Sequence, residues 1–312
     1  MTDAYRVVIV GAGPAGIFAA LELTRAGVDG VLLVEKGPDL PERKRLGRAG
    51  SMLAGWGGAG AYSDGKLALS TEIGGFLGRY CGPGELAELV EYVDETYLTF
   101  GAPATLHGSD VEAVAQLERQ AARLDMKLVP SRYRHLGTEG CEELVGKLRA
   151  HLAGRVAIRC AEPVGEVRID ADGSVAGVKL TSGEDLRAEY VILAPGREGS
   201  AWLAKESERL GLTTTINPVD IGVRVEVPAS VTEPITSATY EAKIIYYTRR
   251  FEDMVRTFCM CPYGELIRED LGGLYTVNGH SYAHRRSRNT NFALLVSKTF
   301  TEPFREPIAY GQ

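Results

Sequence analysis

The stretch of residues 6–37, RVVIVGAGPAGIFAALELTRAGVDGVLLVEKG, constrains the fold more than any other part of the chain. A β-branched run at residues 7–10 leads into the turn GAGPAG, and an Ala/Leu-rich segment from residue 17 to about residue 25 has the composition of a helix. A glycine follows where a helix would end, and a second apolar strand at residues 31–34 is closed by an acidic residue. This order predicts a βαβ unit of the Rossmann type.

The three glycines of the turn have separate roles in such a unit. Gly11 permits the tight turn, Gly13 lets the backbone approach a pyrophosphate, and Gly16 allows close packing of helix and strand. The N–H groups and the dipole at the helix start then hold the phosphates. Glu35 is placed to accept hydrogen bonds from a ribose hydroxyl. The sequence therefore predicts a dinucleotide site, the alternative being an ordinary βαβ unit without a ligand.

Composition limits the partners and the compartment. A length of 312 residues suggests about two domains, and a net charge of −6 disfavours nucleic acid and anionic membranes as partners. Five scattered cysteines argue against a disulfide framework and for a reducing compartment. Residues 7–21 carry no charge, but they lack the basic flank of a signal peptide and are too short to span a bilayer. We expect a cytoplasmic protein.

A basic segment follows the acidic residue. Residues 38–48 contain three arginines and a lysine, which form either a solvated basic loop or a site where one arginine contacts the cofactor's phosphates. Guanidinium groups make bidentate contacts with phosphate, and Arg43 is the best candidate for that contact.

Residues 55–66, GWGGAGAYSDGK, form a glycine-rich stretch with little side chain to pack, so another group must approach its backbone closely. We expect a loop, including Gly57 and Gly58, that covers the pyrophosphate or the ring end of a dinucleotide. Residues 60–66 also contain most of a P-loop. Leu67 replaces the magnesium-binding Ser or Thr and no strand precedes the loop, which excludes a nucleoside triphosphatase.

The middle of the chain predicts packing helices and then a run of strands. Helical patterns cover residues 84–99, 111–123 and 141–152, with Ser109 or Asp110 as a cap for the second. Residues 155–197 contain consecutive strands with hairpin turns at Gly173 and Gly183. The last strand, residues 190–194, is apolar and returns to the buried parallel sheet.

A meander that crosses back to a Rossmann sheet and ends in Ala-x-Gly resembles the FAD domains of glutathione-reductase-like flavoproteins. The resemblance implies that the backbone near Val164 touches the adenine and that the turn at Ala194 and Gly196 passes close to the cofactor. A second nucleotide domain would show another G-x-G-x-x-G, whereas residues 196–199 supply only G-x-x-G. We predict one FAD site and no separate NAD(P)H domain.

After about residue 207 the pattern changes to alternating strands at residues 219–227 and 242–248, broken by Pro228 and Pro234. This predicts a β-rich second domain on the substrate side. His280 and His284 are expected to be loop or surface residues and not metal ligands, because no acidic partner is near them in sequence.

The segment Cys259-Met260-Cys261 is neither a redox Cys-x-x-Cys nor half of a zinc site with a second cysteine pair. One interpretation places the two cysteines on opposite faces of a strand, since successive side chains alternate. The other is thiol chemistry near a flavin.

Four segments, GWGGAGAYSDGKL, TFCMCPYGE, NGHSY and NTNFALLVS, together resemble the uncharacterised FAD-dependent dehydrogenases, also described as NAD(P)/FAD-dependent oxidoreductases. The resemblance runs from the first strand to the last residue and implies FAD, without an established substrate. In much of that family the Cys-x-Cys-Pro segment precedes two glycines, whereas here Tyr263 precedes Gly264. The class also closes its FAD domain with a strand, a Gly-Asp turn and a helix that this chain lacks before Gln312, so we expect a truncated chain.

The predicted fold class is α/β: a Rossmann-like, three-layer FAD-binding domain with a β-meander, and a second β-rich (α+β) domain. The FAD-binding domain is placed at residues 1–206, with a helical insertion at about 76–153, and the substrate-side domain at residues 207–312. No metal is predicted. The predicted cofactor-binding residues are Gly11, Gly13, Pro14, Ala15, Gly16, Glu35, Lys36, Arg43, Gly57, Gly58, Val164, Ala194 and Gly196.

The predicted function is an FAD-dependent oxidoreductase that transfers hydride between bound flavin and a small organic substrate or NAD(P)H. The sequence names no catalytic residue and no oligomeric state. One alternative is a flavin-dependent RNA-modifying or folate-dependent enzyme, which shares the opening motif and would have a basic face that binds nucleic acid. The other is a non-catalytic FAD-binding or sensing protein.

Overall fold

The structure, a computed structural model, describes residues 4–51, 53–215, 217–270 and 275–299. The chain divides into two compact units: unit 1 is Met1–Ser63 with Cys141–Thr214, and unit 2 is Asp64–Gly140 with Thr215–Gln312. This division differs from the predicted boundary near residue 206. The reason is that Met126–Val129, inside the predicted helical insertion, pairs with Lys243–Tyr247 in a sheet of unit 2.

In chain order the elements are β1 (Tyr5–Val10), α1 (Pro14–Arg25), β2 (Val31–Glu35), α2 (Leu40–Ser51), β3 (Lys66–Leu69), α3 (Pro83–Thr99), α4 (Val111–Ala122), β4 (Met126–Val129), β5 (Arg132–His135), α5 (Gly137–Leu152), β6 (Ala157–Cys160), β7 (Val164–Ile169), β8 (Val175–Leu180), β9 (Asp185–Leu193), α6 (Ser200–Arg209), β10 (Val219–Pro228), α7 (Ala229–Thr239), β11 (Lys243–Tyr247), β12 (Met254–Cys261), β13 (Glu265–Asp270), β14 (Tyr275–His280) and β15 (Asn289–Lys298). Short 3-10 turns occupy Gly58–Tyr62 and Leu77–Arg79. Within the described residues, none of the helices combines the length and the apolar character that crossing a membrane requires.

Unit 1 is built on a sheet of order β6-β2-β1-β9-β8-β7. The first four strands are parallel, and the chain enters them at β9 after an antiparallel meander of β7, β8 and β9. Its core joins both parts, because Val8 and Leu32 of the parallel strands share one buried cluster with Val178 and Leu180 of the meander. The predicted α/β fold with a parallel sheet and a β-meander is confirmed.

Local sequence signals explain several element ends. Pro14 stands in the first turn of α1, where its missing N–H costs nothing, and Gly27 beyond the helix end has φ 68°. Asp110 caps α4 by accepting a hydrogen bond from the Ala113 backbone N–H at 3.0 Å. The hairpin turns contain Gly173 and Gly183 with φ 87° and 94°.

Unit 2 contains an antiparallel sheet of order β10-β15-β12-β11-β4 and the hairpins β13-β14 and β3-β5. Helices α4 and α7 contribute to its core, in which Val114 and Ile235 pack with Leu128 and Met260 of the sheet. The predicted β-rich second region is therefore confirmed. Residues 229–239, expected to interrupt strands at prolines, instead form α7, which tolerates Pro234 inside it.

The interpretation of the two cysteines as facing opposite sides of a strand is wrong. Residues two apart on a strand share a face. In addition, β12 is bulged between Phe258 and Cys261, and Cys259 adopts φ 46°. The two sulfur atoms consequently lie 4.0 Å apart.

The expectation for the two histidines holds for only one of them. His284 is exposed in the loop after β14. His280 is the last residue of β14 and only 4% exposed, so its prediction as a surface residue is wrong. Its strand lies in a hairpin that the sequence analysis did not find.

Candidate functional site

The turn between β1 and α1 is so tight that it excludes side chains at two positions. A methyl group on Gly11, whose φ is 107°, would lie 2.2 Å from the Ala194 carbonyl oxygen. One on Gly16 would lie 1.9 Å from the Gly11 carbonyl oxygen. Both glycines are therefore required by the protein's own backbone, which holds α1 against the ends of β1 and β9.

Gly13 is different. A methyl group there would have Gly58 Cα, 4.0 Å away, as its nearest protein neighbour outside the turn. Its φ of −77° suits any residue. None of the described residues requires a glycine at this position, whereas a ligand lying against the backbone would.

Glu35, at the end of β2, binds three backbone segments at once. Its carboxylate accepts hydrogen bonds from the N–H groups of Ala12 at 2.8 Å, Gly37 at 2.8 Å and Gly55 at 2.9 Å. The side chain is only 6% exposed. A buried carboxylate is stabilised by such hydrogen bonds, so Glu35 fixes the glycine turn and the later glycine-rich loop relative to β2.

Arg43, on α2, is 1% exposed, and its guanidinium donates hydrogen bonds to the carbonyl oxygens of Gly55, Trp56 and Gly58. Burial lowers its pKa, which the nearby Tyr62 and Glu35 partly offset. The structure thus places Arg43 beneath the glycine-rich loop and not among the residues lining the cavity described next. Its direct contact with phosphate stays a prediction.

The glycine-rich loop lies over the first turn of α1. The Gly57 N–H donates to the Ala12 carbonyl at 2.8 Å, and a methyl group on Gly58 would come within 2.9 Å of Gly13 Cα. The Trp56 indole N–H donates to the Val145 carbonyl at 2.9 Å and anchors the loop on α5. The close backbone approach expected for this stretch is present.

These elements enclose a cavity of about 470 Å³, within the size range of small-molecule sites. Nine of the thirteen predicted residues line it: Gly11, Gly13, Pro14, Glu35, Lys36, Gly58, Val164, Ala194 and Gly196. The other four, Ala15, Gly16, Arg43 and Gly57, lie behind this lining in α1, α2 or the loop. Among the described residues of the lining, sequence reasoning missed Trp202 of α6, whose indole donates to the Gly165 carbonyl at 2.8 Å.

The cavity has polar groups suited to a dinucleotide. Helix α1 starts at its edge without a side-chain cap and without an acidic residue in its first turn, which leaves the positive end of its dipole facing this region. Lys36 forms an ion pair with Glu198 at 2.9 Å, and both residues line the cavity. The site therefore combines the N-terminus of α1 for phosphate groups, the buried carboxylate of Glu35 for a hydroxyl group, and glycines that let a ligand approach the backbone.

Unit 2 has a cavity of its own, of about 510 Å³. The rings of His107 and His135 both contact Tyr240, each with its centroid 4.7 Å from the centroid of the tyrosine ring and tilted by 35° and 32°. Burial lowers the pKa of His107 and, with smaller contributions from neighbouring charges, brings that of His135 to about 4. Arg285, Arg286 and Glu233 also line this cavity, so two cationic side chains, one carboxylate and two imidazoles surround the same space.

Comparison with known proteins bears on the site in unit 1. The sequence profile of the family described as FAD dependent oxidoreductase matches residues 6–283. An uncharacterized protein of Clostridium beijerinckii (strain ATCC 51743 / NCIMB 8052) is 27% identical over 325 residues, which cover 94% of this chain and 51% of that protein. The chain thus spans about half the length of the curated relative it matches.

Similar solved structures include NikD, an unusual amino acid oxidase essential for nikkomycin biosynthesis, with 14% identity over 95% of this chain and 71% of that chain and a TM-score of 0.49. PqsL, a probable FAD-dependent monooxygenase from Pseudomonas aeruginosa, has 14% identity over 94% and 60%, with a TM-score of 0.43. L-amino acid deaminase from Proteus vulgaris has 15% identity over 75% and 56%, with a TM-score of 0.44. At scores this low the likeness assigns neither activity nor substrate.

Proposed function

The chain belongs to the FAD dependent oxidoreductase family, and we propose that the cavity of unit 1 holds FAD. The pyrophosphate would lie on the turn between Gly11 and Gly16, at the start of α1. Gly58, Val164, Ala194 and Gly196 would form the remaining wall, as the glutathione-reductase-like arrangement implies. The sheet order β2-β1-β9, with the meander strands β8 and β7 next to β9, supports that arrangement.

The observation that carries the proposal is Gly13, a residue of the cavity wall at which the described part of the chain leaves room for a side chain. Glu35 adds to it. An ionised carboxylate has about four lone-pair sites, and three hydrogen bonds to backbone N–H groups leave room for one more donor, such as a ribose hydroxyl.

We infer that the reaction is oxidation or reduction of a small organic substrate. Bound FAD supplies hydride transfer, and the chain's own residues position the cofactor and exclude water from it. NAD(P)H is the second candidate hydride donor. The net charge of −6 opposes the RNA-modifying alternative, and the cytoplasmic location stays a prediction.

We also infer that unit 2 is the substrate side. Its support is the separate cavity lined by Arg286 and His107, whose cationic and hydrogen-bonding groups suit a small carboxylate. Arg285 of the same lining is already paired with Glu265. Titration of Arg286→Ala with a panel of small carboxylates, followed by thermal unfolding, tests this. We expect the wild-type protein to be stabilised by at least one carboxylate and the variant to lose that effect. Equal stabilisation of both proteins would exclude Arg286 from the site.

The FAD proposal is tested by the visible absorption spectrum of the full chain after incubation with FAD and removal of the excess. Wild-type protein is expected to keep flavin bands. Gly13→Ala adds a methyl group to a residue of the cavity wall, and the nearest described atom outside the turn is 4.0 Å from it, so its FAD affinity should fall by about tenfold or more.

The matched control is Gly146→Ala in α5, where a methyl group also has free space but lies away from the cavity lining. It should bind FAD as the wild type does and gain about 0.5 kcal/mol of stability. A colourless wild-type protein, or a Gly13→Ala protein that retains FAD normally, would contradict the proposed site. Once FAD is bound, reduction by NADH or NADPH separates an oxidoreductase from a sensing protein.

A further inference from the structure

The cysteine pair of β12 lies in a side-chain cluster that the proposed FAD site does not involve. Its sulfur atoms are 4.0 Å apart, and the bulge that brings them together holds Cys259 at φ 46°, a backbone conformation that non-glycine residues rarely adopt. A disulfide needs a sulfur–sulfur distance of about 2 Å, so a small movement of the bulged strand would suffice. Cys261 is buried, whereas Cys259 is partly exposed.

Two cations face the pair. The Lys66 ammonium lies 3.6 Å from the Cys259 sulfur and 3.8 Å from the Cys261 sulfur, and it donates a hydrogen bond to the Met260 carbonyl at 2.7 Å. The Arg224 guanidinium lies 3.4 Å from the Cys261 sulfur and donates to the Cys259 carbonyl at 2.7 Å. Positive charge at this distance stabilises a thiolate.

The two thiols are not equivalent. A hydrogen bond from Cys261 lowers the pKa of Cys259, with Lys66 contributing in the same direction against the effect of burial. That same contact, together with burial, raises the pKa of Cys261. The Cys261 sulfur also lies 3.4 Å from the Asp64 carboxylate, an alternative acceptor for its single proton. Cys259 is the sulfur that a small disulfide can reach, whereas Cys261 is buried against the Asp64 carboxylate, so we assign the first attack to Cys259.

The potential ligand atoms of Asp64, Cys259 and Cys261 lie within 4.8 Å of one another, a spacing that could hold a metal ion. Lys66 already supplies the positive charge that this group needs. Its ammonium is 3.1 Å from Asp64 and 2.7 Å from Glu241, with only 8% of its side chain exposed. A buried cation held in this way competes directly with a metal, so the arrangement favours a dithiol.

We propose that Cys259 and Cys261 form a redox-active dithiol that exchanges with low-molecular-weight disulfides. The Cys259 thiolate attacks one sulfur of the disulfide, forming a mixed disulfide and releasing one thiolate. Cys261 then attacks the Cys259 sulfur, forming the Cys259–Cys261 bond and releasing the second thiol, and the Cys261 proton passes to a leaving thiolate. The protein loses two electrons and the small disulfide gains them. The activity is independent of bound flavin.

Oxidised glutathione is a suitable probe. Full-length protein is reduced, freed of reductant, incubated with the probe and quenched with iodoacetamide, and its peptides are mapped by mass spectrometry. In wild-type protein we expect a Cys259–Cys261 disulfide. Cys261→Ser should stop at a glutathione mixed disulfide on Cys259, and Cys259→Ser should form neither product. Cys81→Ser, which removes a partly exposed cysteine outside the cluster, should behave as wild type.

A second measurement follows iodoacetamide alkylation of Cys259 against pH, in wild-type protein and in Cys261→Ser. At pH 7 the wild-type Cys259 should react on the order of tenfold faster than Cys81, with a midpoint below the ordinary thiol value of about 8.5. Removing the Cys261 hydrogen bond should raise that midpoint. The proposal is overturned by mixed disulfides confined to other cysteines, by an ordinary midpoint at Cys259, or by a divalent metal that copurifies and blocks alkylation of both thiols.

Discussion

Each unit of the molecule buries a carboxylate almost completely, and the two are stabilised in opposite ways. Glu35 in unit 1 is 6% exposed and accepts hydrogen bonds from three backbone N–H groups. Asp64 in unit 2 is 7% exposed and relies on side chains, with the Lys66 ammonium at 3.1 Å and the thiol and hydroxyl of Cys261 and Ser281 at 3.4 Å. One charge is held by peptide dipoles and the other by a lysine.

This difference determines which substitutions around each carboxylate reduce the stability of the folded protein. Backbone donors come with the turn and survive most substitutions, so the Glu35 arrangement depends mainly on the carboxylate itself. The Asp64 arrangement depends on the partner, because removing one member of a buried ion pair leaves the other uncompensated. Burial would raise the pKa of Asp64, but Lys66 lowers it below its ordinary value, so the carboxylate stays ionised in the folded protein.

The largest effect is expected from Lys66→Met, which tests the side-chain half of the comparison. It leaves Asp64 and Glu241 buried without their shared cation and should cost about 3–5 kcal/mol of the free energy of unfolding in urea. Lys127→Met is the control, since its ion pair with Glu72 is mostly exposed and should change stability by less than about 0.5 kcal/mol. Equal, small losses in both variants would mean that Lys66 does not hold the cluster.

A smaller effect is expected from Glu35→Gln, which tests the backbone half. The amide keeps the shape of the side chain but turns an NH₂ group toward backbone donors, leaving at least one of them unsatisfied at a cost of about 2 kcal/mol. The control is Glu22→Gln, an exposed residue of α1 whose change should be nearly neutral. If Glu35→Gln were also neutral, three backbone hydrogen bonds would not explain why this carboxylate is buried.

The sequence predicts the surroundings of Glu35 in unit 1 better than those of Asp64 in unit 2. The β1-turn-α1-β2 unit, the meander and the position of Glu35 follow from residues close together in the chain, whose spacing fixes strand, turn and helix. Even there, the role of Glu35 toward backbone N–H groups and the burial of Arg43 under the loop were not predicted, because both depend on how residues 55–58 fold back.

In unit 2 most of the arrangement comes from distant residues. Asp64 and Lys66 come together with Cys259, Cys261 and Glu241 from almost two hundred positions away, a contact that no local spacing signals. Helix α7 was missed because Pro228 and Pro234 argue against a helix, although the buried residues Thr232, Thr236 and Thr239 follow its period. The bulge that moves Cys259 beside Cys261 has no sequence signature that an alternating pattern can reveal.

The smallest expected effect is the pH dependence of stability due to His135, which tests how the charge of Asp64 is balanced in unit 2. Burial lowers the pKa of His135 to about 4, Asp64 opposes this, and Lys66 and His107 add to it. Between the ordinary value of 6.5 and about 4 the unfolded chain therefore binds a proton that the folded protein does not, so stability is full above pH 6.5 and falls as the pH is lowered. We expect His135 to account for about 1.5 kcal/mol of the loss between pH 6.5 and pH 5 in urea titrations. His135→Gln should remove that share of the slope, whereas His284→Gln, at an exposed loop position, should keep the wild-type slope. An unchanged slope in His135→Gln would mean that the imidazole is protonated in the folded state beside Asp64, and the carboxylate would then be held by two cations.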